Sequence, residues 1–261
     1  MTADAWDGHS PGLTAPLRME CDGTEGMKGP TGMAEMELLD SARHAALRVS
    51  AAPDAGRHFV QLVADEFLPA ALHYPILMAR HPETGDLYPG ALMGLVPDEN
   101  LCLSANGALA DYRPADLERQ GFYVSGENIA IDAHHPALTQ MDGTAVFDTD
   151  GGPAPALRRV QAALRRLHVG LPETEKFLRR LEKNRLVEPI DLSFEFDNGE
   201  SLRLDSLYTI SLDAVHALPD DVALALFRSG DLQLIYAITG SVRHIPTLAR
   251  RRNERLSGLT R

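Results

Sequence analysis

The clearest pattern in the chain follows Pro189, where Ile190, Leu192, Phe194 and Phe196 alternate strictly with Asp191, Ser193 and Glu195. Successive side chains of a strand point to opposite faces, so this spacing predicts a strand with one buried and one wet face. Asn198-Gly199 then supplies the positive φ angles of a tight hairpin turn. Leu202 and Leu204 alternate on the way back with Ser201, Arg203 and Asp205.

Upstream, short apolar runs are broken by turn chemistry. Val60–Val63 and Ile76–Ala79 have strand length, and the cluster His81-Pro82-Glu83-Thr84-Gly85-Asp86 predicts a hairpin that returns through Tyr88 to Leu92. Leu101–Leu103, Phe122–Val124 and Asn128–Ile131 are further strand candidates. Beyond them the period changes. Leu157, Val160, Leu164 and Leu167 follow the three-and-four spacing of an amphipathic helix, with Arg158, Arg159, Arg165 and Arg166 on its other faces and Gly170 as its cap. A second helix is expected over 173–186, with Phe177, Leu178 and Leu181 on one side. Another starts at Pro219-Asp220-Asp221, runs to Phe227 and stops at Ser229-Gly230. The last, from Asp231, is expected to bury Leu232, Ile235 and Tyr236 and to bend or end at Pro246.

Together these predict an α+β fold, with a mostly antiparallel sheet in the first half and helices plus a β-hairpin in the second half. Residues 1–41 read as a flexible leader, too poor in large aliphatic residues to offset the entropy of ordering. A β-rich sub-region then spans 42–150, and DTDGGPAP over 148–155 reads as a hinge. A helix–hairpin–helix sub-region, 151–250, packs on the first, and 251–261 forms a basic tail.

Charge narrows the partners. The chain carries 37 acidic against 25 basic residues, a net charge of −12, and such a surface repels the phosphates of nucleic acid and of anionic membranes. Arg243, Arg250, Arg251, Arg252, Arg255 and Arg261 gather around Glu254, which reads as a solvated helix end whose cations complement the helix dipole. The apolar stretch Leu234–Ile238 falls far short of the roughly 20 residues of a membrane span. The first residues lack the basic start and apolar run of a secretory signal, and the two cysteines, Cys21 and Cys102, form no CxxC. A cytoplasmic location is the expectation.

No GxxxxGK[ST], GxGxxG, GxSxG, HExxH or EF-hand loop is present. The histidines are the remaining chemistry. His134 and His135, with Asp132 before them and His73 and His44 elsewhere, are candidate metal ligands of the two-histidine, one-carboxylate kind. Adjacent histidines on a strand point to opposite faces, so at most one of the pair would bind, and Pro136 makes an ordinary polar loop the competing reading. His44 also reads as a buried histidine satisfied by backbone, His81-Pro82 as a turn, and Cys102 as a small core residue. Asp65 and Glu66 are a candidate acid–base pair.

Taken in order, several pieces resemble the SapC family of bacterial proteins. His44-Ala-Ala-Leu-Arg-Val49 resembles its opening, and Glu66-Phe67, Ala70-Ala71 and Tyr74-Pro75-Ile76 are similar to its EF…AA…YPI stretch. Gly94-Leu95 with Glu99-Asn100-Leu101, and Tyr112-Arg-Pro-Ala115 with Gly121-Phe122, resemble its GL…ENL and YxPA…PF segments, with glycine where proline is usual. Val146–Gly151, Leu207-Tyr208-Thr209 and Gly230–Ala237 complete the series, which covers roughly 42–250. Two departures are the missing tryptophan before the YxPA segment and the proline at 246. The family name implies association with bacterial surface-layer systems. Family members also look like neighbours of uptake receptors, flavin-dependent halogenases and cupin-like oxygenases, which implies a setting in peptide or amino-acid tailoring. No catalytic motif comes with the resemblance.

Two classes of function therefore stand. One is a cytoplasmic accessory protein that binds a protein or peptide partner. The other is a metal-dependent oxygenase-type enzyme acting on a peptide or amino acid, which would need iron or another transition metal. A third, oligomer formation through the edge of the hairpin between Ile190 and Asp205, needs no chemistry at all.

Overall fold

The computed structural model describes residues 36–50, 54–104, 107, 109 and 112–258. In chain order these form β1 (Met36–Leu38), β2 (Arg48–Val49), β3 (Phe59–Gln61), α1 (Phe67–Ala71), β4 (Ile76–Arg80) and β5 (Leu87–Leu92). Next come α2 (Ala115–Glu118), β6 (Phe122–Ser125), β7 (Asn128–Asp132), β8 (Leu138–Thr139) and β9 (Thr144–Ala145). The chain continues with α3 (Pro155–Lys183), β10 (Val187–Glu195), β11 (Ser201–Ile210) and α4 (Leu212–His216). It closes with α5 (Asp220–Ser229), α6 (Asp231–Ser241) and α7 (Ile245–Leu256). Neighbouring strands in all three sheets pair antiparallel, and the fold class is α+β.

Two units divide the described residues. The first holds 54–114 and 168–258, the second 36–50 and 115–167. This grouping differs from the sequential split expected at residue 150, because strands from both halves of the chain share one sheet. In the first unit the order is β10-β11-β4-β5-β3. Both expected strands are present and their apolar residues face one another, with Leu192 opposite Leu204 and Phe194 opposite Leu202. The turn differs in detail: only Gly199 has positive φ (84°), and Gly199 N–H bonds to the Phe196 carbonyl at 2.9 Å. The favoured two-residue turns need positive φ at the first central residue, here Asn198, so this is the longer, three-residue kind. β11 also carries one extra residue opposite Asp191, where Ser206 takes φ 65°. Such a bulge bends the strand as the hairpin runs past the sheet.

The apolar cluster of this sheet joins Phe59, Leu77, Leu92, Leu95, Phe196, Leu204, Leu207 and Leu248. Gly90 is required there: a Cβ would stand 2.3 Å from the Phe59 ring. The two helices expected on either side of residue 170 are one helix, α3, with Pro172 inside it. Gly170 serves close approach rather than termination, since a Cβ would come 2.7 Å from the Val63 Cβ. The buried Thr174 hydroxyl donates to the Gly170 carbonyl at 2.7 Å and accepts the Ala64 N–H at 2.8 Å, which holds the helix on residues 63–64. α5 ends at Gly230 (φ 82°) as expected. In α6 Ile235 is buried, whereas Tyr236, expected in the core, is 50% exposed. Pro246 sits in the first turn of α7, where its missing N–H has no helical partner to lose.

The second unit contains the sheets β1-β7-β6 and β8-β2-β9. Leu47, Phe122, Ile131 and Val146 pack there against Leu157, Val160 and Leu164 of α3. Met36–Leu38 pairs with Ala130–Asp132, so the fold begins inside the segment assigned to the leader. Residues 1–35, with Trp6 and Cys21, lie outside the described residues. The expected hinge is a closed loop within this unit: Asp148 Oδ1 accepts the N–H groups of Asp150 (3.1 Å) and Gly152 (2.7 Å).

Candidate functional site

The densest set of polar side chains withdrawn from water lies in the first unit. Asp54, His58, Glu66, Glu99, Asn100 and Arg252 are all buried there. A buried charge costs several kcal/mol unless it is paired and hydrogen-bonded, so the partners decide what this region is.

Asp54 receives both terminal nitrogens of Arg113, Nη2 reaching Oδ1 at 3.1 Å. Asn100 is fixed at both ends of its amide: Nδ2 donates to the Asp54 carbonyl at 3.0 Å and Oδ1 accepts the Cys102 N–H at 2.9 Å. Glu66 takes the Tyr112 hydroxyl on Oε1 at 2.7 Å and the Val63 N–H on Oε2 at 3.1 Å. The Tyr74 hydroxyl donates to the Tyr112 carbonyl at 2.6 Å. Glu66 is thus buried while Asp65 is exposed, and the two carboxylates of the candidate acid–base pair diverge.

Glu99 lies in a tight loop after β5. Gly94 makes that loop possible, because a Cβ would sit 2.2 Å from the Glu99 carbonyl oxygen. Glu99 Oε2 accepts the Leu95 N–H at 3.1 Å and Oε1 accepts Arg252 Nη1 at 2.8 Å. Arg252 Nη2 donates to Glu200 at 2.6 Å, and its guanidinium lies 5.4 Å from the centre of the Phe196 ring. Arg251 donates to the Leu101 carbonyl at 3.1 Å, and Arg255 stands 3.6 Å from Glu99. The basic tail expected at the C-terminus is therefore helix as far as Leu256, with Arg252 turned inward. His58 lies close by. Burial lowers its pKa below the ordinary imidazole value, Asp98 and Glu99 opposing that shift and Arg57 adding to it.

The predicted ligands are placed differently. In the second unit Asp132 Oδ1 accepts the His134 N–H at 3.1 Å, and His135 Nδ1 accepts the Ala137 N–H at 3.0 Å. His44 Nδ1 accepts the Asp40 N–H at 2.9 Å, and Nε2 faces Glu37 at 3.3 Å. His73 belongs to the first unit, its ring tilted against Tyr74 at 6.0 Å. Among the described residues no three His, Cys, Asp or Glu side chains form a group that could hold a metal ion.

The SapC family model matches residues 39–248, most of the chain. The chain belongs to the SapC family. No curated protein matches it, and no solved structure does. Some of the polar residues that carried the SapC resemblance in the sequence, Glu66, Glu99-Asn100 and Tyr112-Arg113, are members of this network, whereas others, such as His44 and Asp148, lie in the second unit. Sequence reasoning missed their partners Asp54, Glu200 and Arg252. Arg252 is 153 residues from Glu99, beyond the reach of any local pattern. The short Gly94–Glu99 spacing was the one local sign that this loop is built for close packing.

Proposed function

We propose that this SapC family member is an accessory binding protein. It engages a protein or peptide partner in a peptide-tailoring or surface-associated system, and it acts through its surface rather than through chemistry at its own side chains. The observation that supports this reading is the condition of five polar residues from the stretches that resemble the family. Glu66, Glu99, Asn100, Tyr112 and Arg113 are bonded to one another, to neighbouring charges or to backbone within one unit. A catalytic acid, base or nucleophile has to come within hydrogen-bond reach of a substrate atom. These groups instead tie the segments 54–66, 93–102, 112–113 and α7 together.

The test is elemental analysis of the purified full chain. The accessory reading expects no metal at one equivalent per chain. Tightly bound iron, copper or zinc at one per chain overturns it in favour of the metal-dependent enzyme, whose ligands would then be sought among His44, His73, Asp132, His134 and His135.

A further inference from the structure

Helix α5 turns two of its large apolar residues outward. Leu226 is buried and Val222 and Ala223 are half-buried, but Leu224 and Phe227 are 46% and 69% exposed. At about 100° per residue, Asp220, Asp221, Phe227 and Arg228 fall within about 60° on either side of Leu224, while Val222 and Leu226 lie on the opposite side. The outward stripe thus reads acid, apolar, cation from its N-terminus to its C-terminus. None of Asp220, Asp221 and Arg228 forms an ion pair among the described residues. Tyr236, half-exposed on α6, adds apolar surface on the helix that packs against α5.

Exposed apolar residues alone say little about what covers them; the order of the charges says more. A contact between two identical copies must be complementary to itself under a two-fold axis. Antiparallel packing of α5 on α5 about Leu224 meets that condition, because it lays the acidic end of each helix beside Arg228 of the other. Leu224 and Phe227 then fill the space between the two charge pairs. Parallel packing would set acid against acid. An anionic lipid surface would meet Asp220 and Asp221 unfavourably.

From this we infer that the outer face of α5 is a self-association surface whose occupant is a second copy of this chain. The helix is about 15 Å long, too short by itself to cover the roughly 800 Å² per partner of a standard interface. The dimer is accordingly weak and forms with rising concentration. This inference does not depend on the function proposed above.

Sedimentation velocity of the full chain over a concentration series tests it. The wild-type chain is expected to move from 28.5 kDa towards twice that mass. F227D should raise the dissociation constant by about tenfold or more, the effect of about 1.4 kcal/mol. The double variant D220K/D221K and the single variant R228E should each self-associate more weakly than wild type. An equal mixture of the two should associate again, since every charge pair is then opposite in sign. Circular dichroism confirms that each variant is folded. A wild-type chain that stays monomeric throughout, an F227D dimer as tight as wild type, or a mixture no better than its components overturns the proposal.

Discussion

Helices α5 and α7 belong to the same unit and reverse each other. α7 carries the run Arg250-Arg251-Arg252 and turns one arginine into the interior, where it is 8% exposed. α5 carries Leu224-Ala225-Leu226-Phe227 and turns two of its large apolar residues outward. Hydropathy alone would keep Arg252 out of the face that buries Ile245 and Leu248, and would draw Leu224 and Phe227 in. What differs is what each helix meets. The inner face of α7 meets Glu99 and Glu200, which make a buried guanidinium tolerable, and Phe196, which covers its flat side. The inner face of α5 takes in Leu226 and, in part, Val222 and Ala223, and Leu224 and Phe227 stay outside. Burial here follows the available partners rather than the polarity of the helix.

The largest effect expected from this contrast is at Arg252. Replacing it with Met leaves buried Glu99 only the longer contact to the exposed Arg255, and the loss should be about 3–5 kcal/mol in urea unfolding. A loss below about 1 kcal/mol, the level of an exposed pair, would mean that water reaches Glu99 and that the guanidinium is not held in the interior.

His58 sharpens the comparison by asking whether the same interior accepts a second cation. Its folded-state pKa is lowered, chiefly by burial, so the unfolded chain binds the proton more readily. Its contribution to stability is therefore fully present above the ordinary value of about 6.5. It is lost as pH falls below that value towards the folded pKa. His58→Gln should flatten this acid-side slope of the unfolding free energy. An unchanged slope would show that the imidazole is protonated as easily inside as out.

The smallest stability effect should be at Phe227. Phe227→Ser removes a side chain that the monomer hardly buries, and dilute protein should change by less than about 0.5 kcal/mol. A large loss measured where only monomer is present would place Phe227 in the core and dissolve the contrast.

Local chemistry was legible in the sequence. The alternation through Ile190 and Phe194, the His81–Asp86 turn and the stop at Gly230 depend on neighbours a few residues away, and each appears where the pattern puts it. Glycine was ambiguous: Gly170 carries the same signal whether it ends a helix or lets Val63 approach it, and only the fold decides. The candidate site was hidden for a similar reason. Arg113 and Asp54 are 59 residues apart, Arg252 and Glu200 are 52 apart, and a single sequence holds no mark of such pairs. The histidines drew notice by residue type alone, and several of them serve turns and backbone caps.

The strand order of the larger sheet has a consequence for how the chain is made. β4 is bonded on one side to β5, which follows it at once, and on the other to β11, which the ribosome delivers only after all of α3. Until then the hairpin Ile76–Leu92 has one unpaired edge, and the residues on it are among the most apolar in the chain. Long-range pairing of this kind is slow, and an open apolar edge invites the wrong neighbour. The emerging chain is therefore most vulnerable between the synthesis of Leu92 and that of Ser201, the interval in which a chaperone has something to hold.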